Sequence, residues 1–161
     1  LLFDDSGAGG SVGGGLGSGI SVQQDGDSLD VWAEVEWRHI YIGDICLLRD
    51  GDAVPADMVI LSSSEGNDAE CYVETKNLDG ETNLKLKRGL RATANLDVAQ
   101  LRHLPFIVCS EGPSSNLYTY KGTFEPAPSD SSSSSSSTTT TMIPAQKEAI
   151  YVDNLLLRGS V

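Results

Sequence analysis

Short apolar runs separated by polar turns dominate the middle of the chain. The segment IYIGDICLLRD is interrupted at Gly43 and Asp44 and then continues with an apolar run over residues 45–48. A second apolar run covers residues 58–61 and follows Pro55, a residue tolerated where a strand begins because its missing backbone donor is not needed there. Runs of this length, bounded by glycine, proline and aspartate, are typical of β-strands.

Two further strands are predicted on either side of a polar segment, NLDGETNLK, at residues 77–85. The first of them is CYVET. In the second, LKLKR, apolar and basic residues alternate, which predicts that Leu84 and Leu86 face the core while Lys85 and Lys87 face solvent. The polar segment is therefore predicted to join two strands.

One helix is predicted at ANLDVAQLRHL, residues 94–104, with Asn95 as its N-cap and Pro105 as its stop signal. The segments NLYTYKGTF and IYVDNLLLRG add further strands. The whole pattern gives roughly six to eight short strands and one short helix. We therefore predict a mainly β fold, a distorted jelly-roll or antiparallel β-sandwich.

Low-complexity segments set the predicted domain boundaries. Residues 1–28 are rich in glycine and serine and have too little apolar surface to offset the entropy of ordering, which predicts a flexible arm. The folded domain is predicted to cover residues 29–161. A Ser/Thr-rich loop at about residues 127–146 interrupts it, and this loop is predicted to be disordered and a candidate for phosphorylation.

Charge is distributed unevenly along the chain, whose formal net charge is −12 at pH 7. Nucleic acid is an unfavourable partner, because phosphate binding needs a broad cationic surface. One basic segment, residues 84–103, stands out from acidic surroundings. It is either a solvated face or a contact for an acidic or phosphate-bearing neighbour. Its cations are Lys85, Lys87, Arg88, Arg91 and Arg102.

Cysteine usage and hydropathy indicate a reducing, cytosolic setting. Cys46, Cys71 and Cys109 are widely spaced and odd in number, which argues against a disulfide framework and against a zinc site. No apolar run approaches the roughly 18 residues that cross a bilayer. The chain starts at Leu1 and stops in an apolar stretch at Val161, so we expect it to be part of a longer protein.

Familiar chemical motifs are few. His39 and His103 have no cysteine or carboxylate at ligand spacing, which favours structural roles. The chain contains no GxxxxGK[ST] phosphate loop, so we do not expect it to bind ATP. The DGD sequences at 25–27 and 50–52 suggest calcium, but the longer series of oxygen ligands in an EF-hand loop does not follow them. We therefore predict no cofactor or metal site.

The polar segment places Glu81 between Gly80 and Thr82. The preceding pair Asp79-Gly80 is common in turns, so Glu81 is either a solvated turn residue or a functional carboxylate. In the second case, Gly80 would let the carboxylate approach another surface and order or deprotonate a water there. The segment would then supply half of an active site, and another domain would supply the electrophile.

Three motifs resemble the actuator domain of P-type ATPases. They are IGD at 42–44, PAD at 55–57 and DGET at 79–82, the last within CYVETKNLDGETNLK. In cation pumps the third of these motifs is Thr-Gly-Glu-Ser. The sequence Asp-Gly-Glu-Thr in this chain instead resembles the motif of the type IV branch, the phospholipid flippases. SEGPSSNLYTYKG at 110–122 and NLLLRG at 154–159 also resemble flippase signatures, of the fungal Dnf-type group.

The resemblance covers about residues 31–125 and 148–161, and Ser160 stands where these proteins often have cysteine. It implies that Glu81 positions and polarises the water that hydrolyses an aspartyl phosphate carried by another domain. Gly80 would permit the close approach, and Asp79 and Thr82 would hold the shape of the loop. The phosphorylated aspartate belongs to a DKTG motif that this chain does not contain.

For the parent protein, the resemblance implies an ATP-driven flippase that moves phospholipid from the outer to the cytosolic leaflet and uses Mg²⁺. Its partners would be the phosphorylation and nucleotide-binding domains of the same chain and a membrane β-subunit of the CDC50 type. The domain would be a cytosolic loop of a multi-pass protein in the plasma membrane or a Golgi or endosomal membrane. The isolated fragment is not expected to be active.

Two other functions are compatible with the residues. One is a stand-alone acidic β-sandwich module that binds calcium or membranes through its DGD turns. The other is a self-contained hydrolase that uses Asp79 and Glu81, although the sequence offers it no recognisable nucleophile or substrate pocket.

Overall fold

Twelve short β-strands and two short α-helices form the part of the chain that the computed structural model describes, residues 2–3, 19–23, 32–65, 68–102, 104–127 and 147–161. The strands are β1 (Leu2–Phe3), β2 (Gly19–Gln23), β3 (Trp32–Glu36), β4 (Cys46–Leu48), β5 (Met58–Val59), β6 (Ser62–Ser63), β7 (Glu70–Val73), β8 (Lys85–Arg88), β9 (Phe106–Ser110), β10 (Gly122–Pro126), β11 (Glu148–Ile150) and β12 (Leu155–Leu156). The helices are α1 (Lys76–Asp79) and α2 (Val98–Arg102), and short 3₁₀ turns cover Trp37–His39 and Val152–Asn154.

The strands form four sheets with mostly antiparallel neighbours. The largest sheet has the order β3-β2-β4-β1-β6, in which β1 lies parallel to β4 and β6. Strands β9, β10 and β11 form an antiparallel sheet, and β5 with β12 and β7 with β8 form antiparallel pairs. The prediction of a mainly β, antiparallel fold is confirmed. The structure adds a second short helix, α1, to the single helix that was predicted.

Apolar side chains pack into two clusters, which lie on opposite faces of β4 and β12. Successive residues of a strand point to opposite faces, so Leu47 and Leu48 of β4 enter different clusters, as do Leu155 and Leu156 of β12. The first cluster contains Cys46, Leu48, Val54, Ile60, Cys71, Val73 and Leu156. The second contains Leu47, Leu61, Leu90, Ala92, Leu101, Leu104, Phe124, Ile150 and Leu155.

The predicted facing of β8 is wrong. Leu84 and Leu86 are 61% and 38% exposed, whereas Lys87 is buried. Lys87 pairs with the buried Cys71 in the β7–β8 register, and directly opposed residues of an antiparallel pair share one face. Its ammonium donates a hydrogen bond to the Val152 carbonyl at 2.8 Å, which makes burial of the charge tolerable. Burial lowers the pKa of the Lys87 ammonium.

Helix α2 is shorter than predicted, and its cap is a different residue. The Gln100 N–H donates to Asp97 Oδ1 at 2.7 Å, and the Asp97 N–H donates to Gln100 Oε1 at 2.9 Å. This reciprocal pair is a capping-box arrangement. Asn95 lies earlier, in a turn, so its prediction as the N-cap is wrong. Neither helix among the described residues is long and apolar enough to span a membrane.

Two strands lie within residues 1–28, the range predicted as a flexible arm. Strand β2 pairs with β3 over five residues, and β1 lies between β4 and β6. The rest of this range lies outside the described residues, as does the predicted loop 127–146 apart from Ala127. The arm as a whole and the disorder of the loop therefore stay predictions. The ends of that loop meet, because β10 and β11 are antiparallel neighbours.

Candidate functional site

The segment that contains Glu81 begins as one turn of helix. Helix α1 (Lys76–Asp79) begins three residues after the end of β7, and Gly80 ends it with φ +77°. The Gly80 N–H donates to the Lys76 carbonyl at 3.0 Å, which is a left-handed helix C-cap. The Asp79-Gly80 pair is therefore a helix terminus. Only afterwards does the chain enter β8, with Glu81 lying between the helix and the strand.

Asp79 is the hub of the loop's hydrogen bonds. Its carboxylate accepts the Thr75 hydroxyl at 3.0 Å, the Glu81 N–H at 3.0 Å and the Lys85 ammonium. The side chain is only 9% exposed. The Lys85 ammonium, followed by the Glu81 N–H, lowers the pKa of Asp79 from 3.8 to about 2. Asp79 is therefore an anion at neutral pH and fixes the backbone at Glu81.

Lys85 connects the hub to the tip of the loop. Its ammonium contacts Asp79 and also lies 3.0 Å from Glu81 Oε2. The hydrogen bond to Asp79, and then the one to Glu81, raises the pKa of Lys85. Lys85 was predicted only to face solvent, and its contacts with Asp79 and Glu81 were not predicted. No local pattern indicates this contact, because a spacing of four residues favours an ion pair only on a helix, and Glu81 and Lys85 lie between the end of α1 and the start of β8.

Glu81 and Thr82 are both exposed, as are the neighbouring Gly80, Asn83 and Leu84. The Glu81 side chain is 49% exposed and has one carboxylate oxygen beyond the contact with Lys85. Thr82 is exposed, and no hydrogen bond joins its side chain to the described residues. Its predicted part in the shape of the loop stays a prediction. A Cβ at Gly80 would contact nothing within 4 Å, so the positive φ is the constraint that glycine meets within this chain.

Two cavities border β7 among the described residues. A cavity of about 30 Å³ lies behind the loop, between Thr75, Asp79, Lys85 and Lys87, and it has room for about one water molecule. A larger groove of about 320 Å³ lies between the 49–52 turn and β7. Glu81 lines neither space. The Glu81 side chain is 49% exposed, so its carboxylate is accessible to another surface.

The basic segment 84–103 does not form a continuous cationic surface. Lys85 contacts Asp79 and Glu81, Lys87 is buried against a carbonyl, and Arg88 Nε lies 3.0 Å from Glu70 Oε1. Three of its cations thus have partners within the chain. Two of them, Lys85 and Arg88, contact acidic side chains of the same chain, which favours a local role over a contact with a phosphate-bearing neighbour.

The geometry gives little support to the predicted alternative of a calcium-binding module. In the DGD turn at 50–52, the Asp52 carboxylate accepts the Arg49 N–H at 2.8 Å, so it is engaged in closing the turn. No cluster of three or more His, Cys, Asp or Glu side chains among the described residues could hold a metal ion. His39 is exposed, and His103 and the DGD at 25–27 lie outside the described residues.

A comparison with protein families decides what kind of domain this is. The family model for the P-type ATPase actuator domain matches residues 21–125, which include the whole loop around Glu81. The chain belongs to the P-type ATPase actuator domain family. The actuator domain match begins inside β2 and ends inside β10, so β11 and β12 lie beyond it.

This actuator domain is similar to parts of several phospholipid-transporting ATPases. It is 38% identical over 129 residues to phospholipid-transporting ATPase DNF2 of Saccharomyces cerevisiae, which is 80% of this chain and 7% of that protein. For DRS2 of the same yeast, the identity is 48% over 98 residues, 60% of this chain and 7% of the relative. For probable phospholipid-transporting ATPase 12 of Arabidopsis thaliana, it is 40% over 126 residues, 78% and 9%. The chain therefore spans less than a tenth of these relatives.

Proposed function

We propose that this chain is the cytosolic actuator domain of a type IV P-type ATPase that transports phospholipid, and that Glu81 assists hydrolysis of the parent's aspartyl phosphate. The observation that carries the proposal is the exposed carboxylate of Glu81, which contacts Lys85 and lines neither of the two cavities. The names of the similar proteins support phospholipid as the substrate class.

The chemistry assigned to Glu81 is general-base assistance. A water oxygen attacks the phosphorus of the aspartyl phosphate in line, the bond from phosphorus to the aspartate oxygen breaks, and inorganic phosphate leaves. The Glu81 carboxylate orients the water and accepts its proton. Asp79 holds the backbone of Glu81 through the 3.0 Å hydrogen bond. Gly80 leaves the approach to the loop tip free of a side chain.

The actuator domain also acts as a lever in this proposal. The parent's phosphorylation and nucleotide-binding domains supply the aspartyl phosphate from ATP and Mg²⁺, and they are its partners within the same chain. Rotation of the actuator domain onto the phosphate moves the lipid pathway, so that lipid passes from the outer to the cytosolic leaflet. A β-subunit of the CDC50 type and a location in the plasma membrane or a Golgi or endosomal membrane complete the proposal.

Lipid transport by the full-length parent tests this function. The purified parent is reconstituted in vesicles with fluorescent phospholipid and Mg-ATP, and Glu81→Gln is compared with wild type. We expect the variant to form phosphoenzyme but to stop transporting lipid. Glu74→Gln, the same change at an exposed glutamate just before the loop, is the matched control and should transport normally. Normal transport by Glu81→Gln would refute the proposed role.

A further inference from the structure

The Glu81 carboxylate is oriented by a neighbour that the proposed mechanism has not used. Lys85 Nζ lies 3.0 Å from Glu81 Oε2 and contacts Asp79 with the same ammonium group. Exposure increases outward along this set: 9% for the Asp79 side chain, 30% for Lys85 and 49% for Glu81. Lys85 therefore links a covered anion to an exposed one.

Asp79, the least exposed of the three side chains, is held in place by a further hydrogen bond. Asp79 accepts the Thr75 hydroxyl at 3.0 Å, and Thr75 is buried. Lys85 itself belongs to β8, where it pairs with Val73 of β7 in a regular antiparallel register. Both ends of Lys85, its backbone and its ammonium, are thus fixed to the folded domain. The only freely exposed member of the set is the Glu81 carboxylate.

We propose that Lys85 is a positioning residue for the hydrolytic step. Its ammonium selects one orientation of the Glu81 side chain, with one carboxylate oxygen engaged and the other free to bind the attacking water. This inference rests on the proposed role of Glu81. Preorganisation of this kind matters because a displacement of about 1 Å at a reacting group can reduce a rate about 10²-fold.

A purely stabilising role fits the geometry less well. The ion pair of Lys85 with Glu81 joins two partly exposed side chains, and such pairs contribute little to folding stability. The fold around the loop has its own anchors, since the Gly80 C-cap bond and the β7–β8 pairing do not involve the Lys85 side chain. Loss of the Lys85 ammonium is therefore expected to leave the strand in place while it releases Glu81.

The test measures the decay of acid-stable phosphoenzyme in the full-length parent after a chase with unlabelled ATP. We expect Lys85→Met to decay at least about tenfold more slowly than wild type. Lys85→Arg should decay within about threefold of wild type, because a guanidinium also bridges two carboxylates. Lys76→Met removes an exposed lysine of α1 close to the same loop and should decay like wild type.

A double variant separates positioning from other roles. If Lys85 acts through Glu81, then Lys85→Met adds no further slowing to Glu81→Gln, because both changes remove one contribution. Additive slowing would overturn the proposal, as would wild-type decay of Lys85→Met alongside slow decay of Glu81→Gln. Wild-type decay of Glu81→Gln would instead refute the proposed function. Should Lys85→Met fail to fold, Lys85→Gln enters the same comparison.

Discussion

At Gly80 a single backbone angle determines how the functional loop is built. Its φ of +77° ends helix α1 and turns the chain so that Glu81 points away from the domain. Residues other than glycine adopt this left-handed conformation at a cost of about 1–2 kcal/mol. The space around Gly80 is open, so this cost comes from the backbone conformation alone.

Gly80→Ala is therefore expected to lower the free energy of unfolding of the chain by about 1 kcal/mol. Urea denaturation followed by tryptophan fluorescence measures the change. Gly112→Ala is the matched control, because Gly112 has open space around it without a positive φ, and it should change stability little. Equal effects of the two substitutions would show that the left-handed angle is not what requires glycine at residue 80.

Residue by residue, the sequence predicted the exposed part of the site better than the covered part. Glu81 and its loop follow from a short motif. The burial of Lys87 could not be predicted, because its hydrogen-bond acceptor, the carbonyl of Val152, lies 65 residues further along the chain. The contact between Lys85 and Glu81 was not predictable either, because their spacing of four residues favours an ion pair only on a helix, and Lys85 lies in β8.

At the scale of elements, local alternation failed where a partner strand determined which side faces the core. Cys71 and Val73 of β7 fill the first apolar cluster. The paired positions of β8 therefore take the inner face, and Leu86 lies outside opposite Tyr72. An alternating pattern fixes the period of a strand but not which face is buried when both faces carry long aliphatic stems.

The start of α2 gives a direct test of one such correction. Asp97→Ala should lower the free energy of unfolding by about 1 kcal/mol, because it removes the side-chain acceptor of the Gln100 N–H. Asn95→Ala, at the residue predicted as the cap, should have almost no effect. Chemical denaturation of the two variants side by side provides the measurement. A larger loss for Asn95→Ala would contradict the observed cap.

At the scale of the whole molecule, the pattern of short apolar runs predicted the mainly β class, and the motifs predicted the family. The order of strands in the largest sheet was not predictable, since β1 lies parallel between β4 and β6 and such pairings depend on contacts distant in sequence. The Ser/Thr-rich insertion was predicted as a loop. Its position between β10 and β11, which are antiparallel neighbours, accords with a connection that can vary in length.

Deletion of residues 131–141 should consequently leave the stability of the chain nearly unchanged. Shortening a connection between two elements changes its closure free energy by about 1 kcal/mol or less, and the pairing of Phe124 with Glu148 holds the flanking strands together. Thermal melting of the shortened chain is the measurement. Unfolding of the deletion variant would show that the segment packs against the domain.

The central claim is that Glu81 acts on the phosphoenzyme after it has formed. In the full-length parent, phosphoenzyme is made with labelled ATP and chased with unlabelled ATP, and its acid-stable label is followed over time. We predict that Glu81→Gln forms phosphoenzyme normally but loses the label about 10²- to 10⁴-fold more slowly than wild type, the usual contribution of a general base. Decay at the wild-type rate would contradict the account and leave Glu81 as a residue of the turn.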